Sequence, residues 1–303
     1  MPALSPEQVA RYRAEGWLLL ERALPVPALA ALQAAAASLV ALAATRSASD
    51  AVLDLGPDHR PGRPRVRRIK NAHLQHPAFA AICRDPRLIG PVQDLIGRDL
   101  RLLGAKVNIK AAGHGDAVEW HQDWAFYPHT NEDVLAAGIF LDEVGPDNAP
   151  LLVAPGSHRG PLIDHHHGGV FVGGFDPRAA GIAPERATAL TGPAGSISLH
   201  HVRLAHGSAV NRSPRDRRIL FVEIAAADAW PLLGVPDFAA WFEPTIIAGR
   251  PTLDWRMEAA PIRPPLPAAF AGALSADATI YDLQDRLPRR HFVAAGTEPE
   301  DRQ

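Results

Sequence analysis

The sequence predicts a mainly β protein with helices (α+β), in which a helical N-terminal layer packs on a double-stranded β-helix, the jelly roll of cupin-like proteins. Leu and Ala recur at helical spacing early in the chain, and after Arg98 short apolar runs alternate with Gly and Pro. Such closely spaced short strands are typical of a sandwich or barrel rather than of βαβ units. We therefore expect one domain over residues 1–303.

Three parts of this domain are predicted. Residues 1–97 form the mostly helical layer, about 98–230 the jelly-roll core, and about 231–303 a C-terminal wrap with no motif that we can interpret. A chain of this length can bury the core that such a single domain needs.

The helical layer begins at Ser5, which can cap a helix that ends at Gly16. Residues 17–20 are a short apolar strand candidate. Leu residues at near-helical spacing predict a packed helix over about 27–44, and a second helical region covers about 77–97.

The core is predicted from five apolar runs bounded by turn residues. They cover residues 100–109, 135–141, 150–154, 196–200 and 218–225. The Gly and Pro residues between these short runs favour a sandwich or barrel.

Composition excludes several classes of function. A net charge of −2 and a pI near 6.7 give no basic surface for nucleic acid. The single cysteine, Cys83, excludes an intrachain disulfide and any cysteine-based metal site. There is no basic N-terminal segment followed by an apolar one, and we find no run of about 18 apolar residues, so we expect no membrane contact and a cytoplasmic location. Nothing in the sequence indicates an oligomeric state.

Two histidines and an aspartate form a candidate metal site. His121 and Asp123 lie two residues apart, and such residues on a strand point to the same face. The best third ligand is His206, in the segment LAHGS. Two imidazoles and one carboxylate leave three positions of an octahedron open, which is the arrangement of non-haem iron(II) oxygenases. His-x-Asp alone is common by chance, so the rest of the pattern decides.

Arg217 strengthens this interpretation. It lies eleven residues after His206 at the entry to an apolar strand. If a hairpin connects them, its guanidinium can bind the distal carboxylate of a keto acid with two parallel hydrogen bonds. Arg212 and Arg215 are better explained as a solvated turn, and Arg218 alternates to the other face.

Four segments resemble the phytanoyl-CoA dioxygenase family in order and separation, within a match that runs from the first helix to about Trp230. They are LLGAKVNIK at 102–110, WHQDWAFYPHT at 120–130, APGSHRGP at 154–161 and HGSAVNRS at 206–213. One departure is Ile139, where some members have an aromatic residue. The retained Asp123 favours hydroxylation, because halogenating relatives carry a small residue there.

The resemblance implies an enzyme that uses iron(II), 2-oxoglutarate and O2 and releases succinate and CO2, with ascorbate as a reductant in vitro. It implies His121, Asp123 and His206 as metal ligands. Contacts to 2-oxoglutarate are implied for Arg217, Ser208, Lys70, Lys106 and Asn108. A surface position is an equally good interpretation of both lysines.

The substrate pocket is predicted less sharply. Its candidates are Trp124, Tyr127, His129, His201 and Trp230, and packing in the core is an equally good interpretation of the aromatic ones. Either His200 or His201 can face inward. The run of histidines at 165–167 is expected to be a loop over the site, since consecutive side chains rarely chelate one ion.

The sequence thus predicts hydroxylation of an unactivated C–H bond of a small organic substrate. Desaturation, epimerisation and cyclisation remain alternatives at the same site. A catalytically silent jelly roll that binds a metal or a small molecule is an alternative of a different class, and so is a cupin-type enzyme that needs no keto acid.

Overall fold

The computed structural model describes residues 3–113, 115–264 and 279–292. Helix α1 (Pro6–Glu15) begins as predicted at Ser5, whose side chain accepts a hydrogen bond from the Gln8 N–H while the Gln8 side chain accepts one from Ser5. It ends at Gly16, where φ is +83°. A side chain at Gly16 would also clash with His158, since its Cβ would lie 2.5 Å from the imidazole Nδ1.

Four more helices belong to the N-terminal layer. They are α2 (Val26–Ala41), α3 (Ala72–Gln75), α4 (Pro77–Ile82) and α5 (Pro86–Ile96). The predicted helical region at 77–97 is therefore two helices, because Asp85 caps a new start by accepting the Arg87 N–H.

The segment Val26–Thr45 is long enough and apolar enough, by length and composition, to cross a membrane. This contradicts our expectation that no run in the chain would qualify. In the structure Leu32, Ala35 and Ala36 are buried against the core. These three residues of the segment therefore pack in the core.

Fourteen strands complete the described fold. They are β1 (Trp17–Leu20), β2 (Leu53–Leu55), β3 (Val66–Ile69), β4 (Leu100–Lys110), β5 (Val118–His121), β6 (Val134–Phe140), β7 (Leu151–Val153), β8 (His166–His167), β9 (Val170–Phe171), β10 (Thr188–Leu190), β11 (Ile197–His201), β12 (His206–Ser208), β13 (Arg217–Ala226) and β14 (Ile246–Ala248). Two short helices, α6 (Phe238–Phe242) and α7 (Ile280–Gln284), follow the core. The five predicted strands are present, each within one residue at both ends.

The strands form two main antiparallel sheets. The major sheet has the order β1-β11-β6-β13-β4-β3-β2, with β14 paired to β4, and the minor sheet has the order β10-β7-β12-β5. Strands β1 to β3 extend the major sheet, so the N-terminal region is less purely helical than predicted. The short strands β8 and β9 form a separate hairpin.

Both faces of the major sheet are covered. Along β13, Leu220 and Val222 pack with the helices, whereas Ile219 and Phe221 face the minor sheet. Alternation along the strand explains why this segment is apolar throughout. The fold is thus a jelly roll with a helical layer outside its major sheet, and the space between the two sheets is left for a site.

The helical layer can be tested through Phe79, which is fully buried in α4. Phe79→Ala is expected to lower the free energy of unfolding by about 3–5 kcal/mol, because the truncation leaves a cavity. Urea denaturation measures this loss. The control is Leu74→Ala, whose side chain is 73% exposed and whose loss is expected to cost less than about 0.5 kcal/mol. Equal effects would show that the layer does not contribute to the core.

Candidate active site

The two predicted ligand histidines lie opposite each other in the minor sheet. His206 of β12 pairs in register with His121 of β5, and their ring centroids are 4.1 Å apart. Asp123 follows the end of β5 in a single 3-10 turn. Its Oδ1 lies 3.6 Å from His121 Nε2 and 3.9 Å from His206 Nε2. One donor atom from each residue lies within 4.8 Å of the others.

Backbone carbonyls hold both imidazoles in the form that a metal requires. His121 Nδ1 lies 2.8 Å from the carbonyl oxygen of Glu119, and His206 Nδ1 lies 2.8 Å from that of Leu204. Because a carbonyl only accepts, each Nδ1 carries the proton and each Nε2 keeps a lone pair. These lone pairs and Asp123 Oδ1 form the donor set of a facial iron(II) site.

The charge states of Asp123 and His206 also suit an iron(II) site. Burial raises the pKa of Asp123, but His206, His121 and His200 outweigh that effect and hold it well below its ordinary value. Burial, and then the proximity of His121, lowers the pKa of His206 well below its ordinary value. The site therefore offers an ionised carboxylate and a neutral imidazole near pH 7.

A cavity of about 300 Å³ extends from these ligands between the two sheets. The major sheet lines it with alternate residues of β4 and β13, and the minor sheet lines it with His206, Gly207 and Ser208. Phe126, Leu151 and Phe221 give it apolar walls.

Arg217 lies at one end of this cavity and is 3% exposed. Its Nη2 donates to the carbonyl of Ala149 (2.8 Å) and to Ser208 Oγ (3.4 Å). Its Nε has no hydrogen-bond partner within the described part of the chain. Burial lowers its pKa to about 10, so the guanidinium remains charged at neutral pH.

Two of the three other residues implied for the co-substrate line the cavity. Lys106 does so with its Nζ 2.6 Å from Glu223 Oε1. Asn108 also does so, and its Oδ1 has no hydrogen-bond partner among the described residues.

Lys70 is not among the described residues that line the cavity. It lies beyond the last residue of β3, and its N–H donates to the carbonyl of Val52. Arg68, a residue of β3 that pairs with Asn108 of β4, lines the cavity.

Of the five residues predicted for the substrate pocket, Tyr127 lines the cavity. Trp124 is fully buried instead, and its Nε1 donates to the carbonyl of Pro261. His129 is buried, with its Nδ1 donating to the carbonyl of Tyr127. Both side chains serve packing, which was the alternative interpretation.

His201 and Trp230 are likewise not among the described residues that line the cavity. The ring of His201 contacts His158, and Trp230 packs against Trp241. His200 faces inward instead, because adjacent residues of β11 point to opposite sides of the sheet.

His200, one of the two adjacent histidines that the sequence allowed to face inward, is the one that lines the cavity. It is 1% exposed, and its Nε2 lies 3.4 Å from Asp123 Oδ2. Neither ring nitrogen has a well-formed hydrogen bond to the described residues. Ala136, its partner on β6, leaves space beside it.

Lys110 is a cavity residue that the sequence did not single out. It is fully buried, and burial followed by the proximity of Arg217 lowers its pKa well below the ordinary value. Its Nζ donates to the carbonyls of Asp116, Ser208 and Ala209. Lys110 thus connects the loop before β5 to the end of β12.

The C-terminal segment forms part of the cavity wall, which the sequence analysis did not predict. The cavity is lined by four residues at the start of α7 and within it: Thr279, Ile280, Tyr281 and Leu283.

The side chains of the histidine run at 165–167 do not converge on one point. His165 is buried and accepts the Gln122 N–H, whereas His167 is exposed.

Known proteins resemble this chain over most of its length. The phytanoyl-CoA dioxygenase (PhyH) family matches residues 12–219. A probable alpha-ketoglutarate-dependent hypophosphite dioxygenase of Stutzerimonas stutzeri is 38% identical over 233 residues, which are 75% of this chain and 78% of that one. L-proline trans-4-hydroxylase of Streptomyces griseoviridis is 30% identical over 234 residues, which are 70% and 83% of the two chains.

Solved structures show the same fold. The crystal structure of EctD from S. alaskensis with 2-oxoglutarate and 5-hydroxyectoine has a TM-score of 0.64 and 26% identity, covering 84% of this chain and 87% of that one. The structure of EctD with bound Fe has a TM-score of 0.63 and 27% identity at the same coverage.

Family, fold and the convergence of two histidines and an aspartate agree. This chain belongs to the phytanoyl-CoA dioxygenase (PhyH) family and is a non-haem iron, 2-oxoglutarate-dependent dioxygenase.

Proposed function

We propose that the enzyme hydroxylates a small polar molecule, with iron(II) held by His121, Asp123 and His206 and 2-oxoglutarate held by Arg217 and Ser208. One observation carries this proposal. A buried arginine without a carboxylate partner among the described residues lies in the same cavity as three converging metal donors. A buried cation without a counter-charge is costly, and a ligand carboxylate would compensate it.

The side chains that line the cavity would bind and orient 2-oxoglutarate and shield the metal ligands from water. Arg217 presents a planar fork toward the cavity, Ser208 adds a hydroxyl beside it, and Asn108 Oδ1 is free to accept a hydrogen bond. Phe126 and Phe221 exclude water from the region next to the ligands. The bound metal and co-substrate would supply the oxidising chemistry, with release of succinate and CO2.

The size of the cavity limits the substrate. About 300 Å³ must hold a five-carbon keto diacid as well as the substrate. The Lys106–Glu223 ion pair and His200 give the remaining space a polar lining. Relatives named for hypophosphite, proline and ectoine also point to small polar substrates. Tyr127 would contact such a substrate from the side of Asp123.

The ligand assignment predicts loss of metal binding in His121→Ala and His206→Ala. Changes to residues that merely orient a ligand cost about 10–100-fold in metal affinity, so removal of a ligand should cost about 100-fold or more. Titration with Co²⁺, followed by its visible absorption, measures this. The control is His167→Ala, which removes an exposed histidine of the run. Unchanged affinity in either ligand variant would contradict the assignment.

The co-substrate assignment predicts that Arg217→Ala raises the KM for 2-oxoglutarate. Loss of one partner of a buried charged pair costs about 2–5 kcal/mol, so we expect an increase of roughly 100-fold. Succinate formation against 2-oxoglutarate concentration measures it. Arg218→Ala is the matched control, because Arg218 pairs with Asp142 outside the cavity. A KM that changes equally in both variants would refute the role of Arg217.

The size argument predicts which compounds stimulate turnover. Hypophosphite, L-proline or ectoine should accelerate succinate formation, and phytanoyl-CoA should not, because the cavity cannot enclose a branched acyl chain beside the keto acid. Oxygen uptake and succinate release measure the stimulation. Acceleration by phytanoyl-CoA, with none by the three small compounds, would overturn the substrate class.

A further inference from the structure

The strand that carries His121 lies at an edge of the minor sheet. β5 pairs with β12 on one side, and no described strand covers the other side. Edge strands leave backbone N–H and C=O groups without a strand partner. At Glu119, two residues before His121, those groups are bound by the side chain of Gln284 from the end of α7.

The amide of Gln284 takes the place of a neighbouring strand. Its Oε1 accepts the Glu119 N–H at 2.8 Å, and its Nε2 donates to the Glu119 carbonyl at 3.3 Å. The same Nε2 donates to the carbonyl of Gly173 at 2.8 Å. Gln284 is 3% exposed, so these bonds are shielded from water.

The Glu119 carbonyl is the same group that orients His121. It accepts the His121 Nδ1–H at 2.8 Å and the Gln284 Nε2–H at 3.3 Å. Because Gln284 also holds the Glu119 N–H, the peptide groups on both sides of Glu119 are fixed. The direction of that carbonyl sets the direction in which His121 Nε2 points.

Further contacts hold the C-terminal segment against both ligand strands. The Glu119 carboxylate accepts the N–H groups of His291 (2.9 Å) and Phe292 (3.2 Å). The ring of Phe292 stacks on Trp120, with centroids 6.1 Å apart and an interplanar angle of 17°. Gly207 makes room for this ring, since a Cβ there would lie 2.8 Å from Phe292. Trp120 precedes His121 in the chain, and Gly207 follows His206.

We propose that residues 279–292 belong to the active site and that Gln284 is a positioning residue, which orients the metal ligand His121 through the Glu119 carbonyl. This rests on the proposed function, because it takes His121 as a ligand. The same segment carries Tyr281 and Leu283 into the cavity, so the wall of the substrate space and the orientation of a ligand depend on one element.

The test is Co²⁺ affinity in Gln284→Met, which keeps the length of the side chain and removes its hydrogen bonds. We expect the Kd for Co²⁺ to rise about tenfold, the lower end of the range for groups that orient a ligand. The visible spectrum of the bound Co²⁺ should change as well, since it reports ligand geometry.

The matched control is Gln33→Met, which removes a bond from Gln33 Nε2 to the carbonyl of Leu141 in another part of the fold. It should lower the melting temperature without changing Co²⁺ affinity. Gln284→Asn keeps the amide but draws it back by one methylene, so its hydrogen bonds to Glu119 lengthen without an unpaired polar group or charge being added. It should show an intermediate loss, and it carries the test if the methionine variant does not fold.

Two failures are distinguishable. If the wild type binds Co²⁺ through His121 and both Gln284 variants bind it equally well with the same spectrum, the positioning role is wrong and the metal site stands. If the wild type and His121→Ala bind alike, the metal assignment is wrong and the inference is overturned with it.

Discussion

The site depends on two imidazoles that are each fixed by the backbone carbonyl two residues earlier in the chain. His121 and His206 each donate from Nδ1 to that carbonyl, at 2.8 Å in both cases. Because β5 and β12 pair in register at these two residues, both Nε2 atoms lie near Asp123 Oδ1. The geometry thus follows from strand pairing and two local hydrogen bonds, before any ion is bound.

Charge imposes the second constraint. Arg217 is buried at the end of a cavity with no carboxylate partner among the described residues, whereas the nearby Lys110 is bound to three carbonyls. A guanidinium buried without a counter-charge is costly, and this supports our proposal that an anion from outside the chain binds it. In that proposal a dicarboxylate chelates the metal at one end and meets Arg217 at the other.

The sequence predicted the parts of the site that depend on local spacing. Arg217, eleven residues after His206, could be placed because a hairpin is a short-range feature. The five core strands were predicted for the same reason, since turn residues mark their ends. His121 and Asp123 converge as predicted, but the strand alternation assumed for them was wrong, since β5 ends at His121 and Asp123 lies in a 3-10 turn.

One error arose where a single residue of strand phase decides the outcome. His200 faces the cavity and His201 does not, and a shift by one residue exchanges the two faces of a strand. Lys70 has the same strand phase as Arg68, but β3 ends at Ile69 and Lys70 is not among the described residues that line the cavity. Trp124 and His129 were predicted as pocket residues, but both are buried in the core, and Trp124 donates a hydrogen bond to the distant Pro261 carbonyl.

The C-terminal segment could not be predicted, because its role depends on contacts across most of the chain. Gln284 binds Glu119, 165 residues earlier, and α7 is too short to be recognised from the periodicity of its apolar residues. Its amide completes the edge of a strand that the family motif supplies. The motif therefore specifies the donors, and a distant segment completes their surroundings.

Anaerobic titration of the protein with iron(II) at saturating 2-oxoglutarate tests the central claim most directly. The account predicts a visible charge-transfer absorption that saturates at one equivalent of iron and is absent in His121→Ala, because the loss of an imidazole ligand removes the iron that the keto acid chelates. No absorption in the wild type, or the same absorption in His121→Ala, would contradict it.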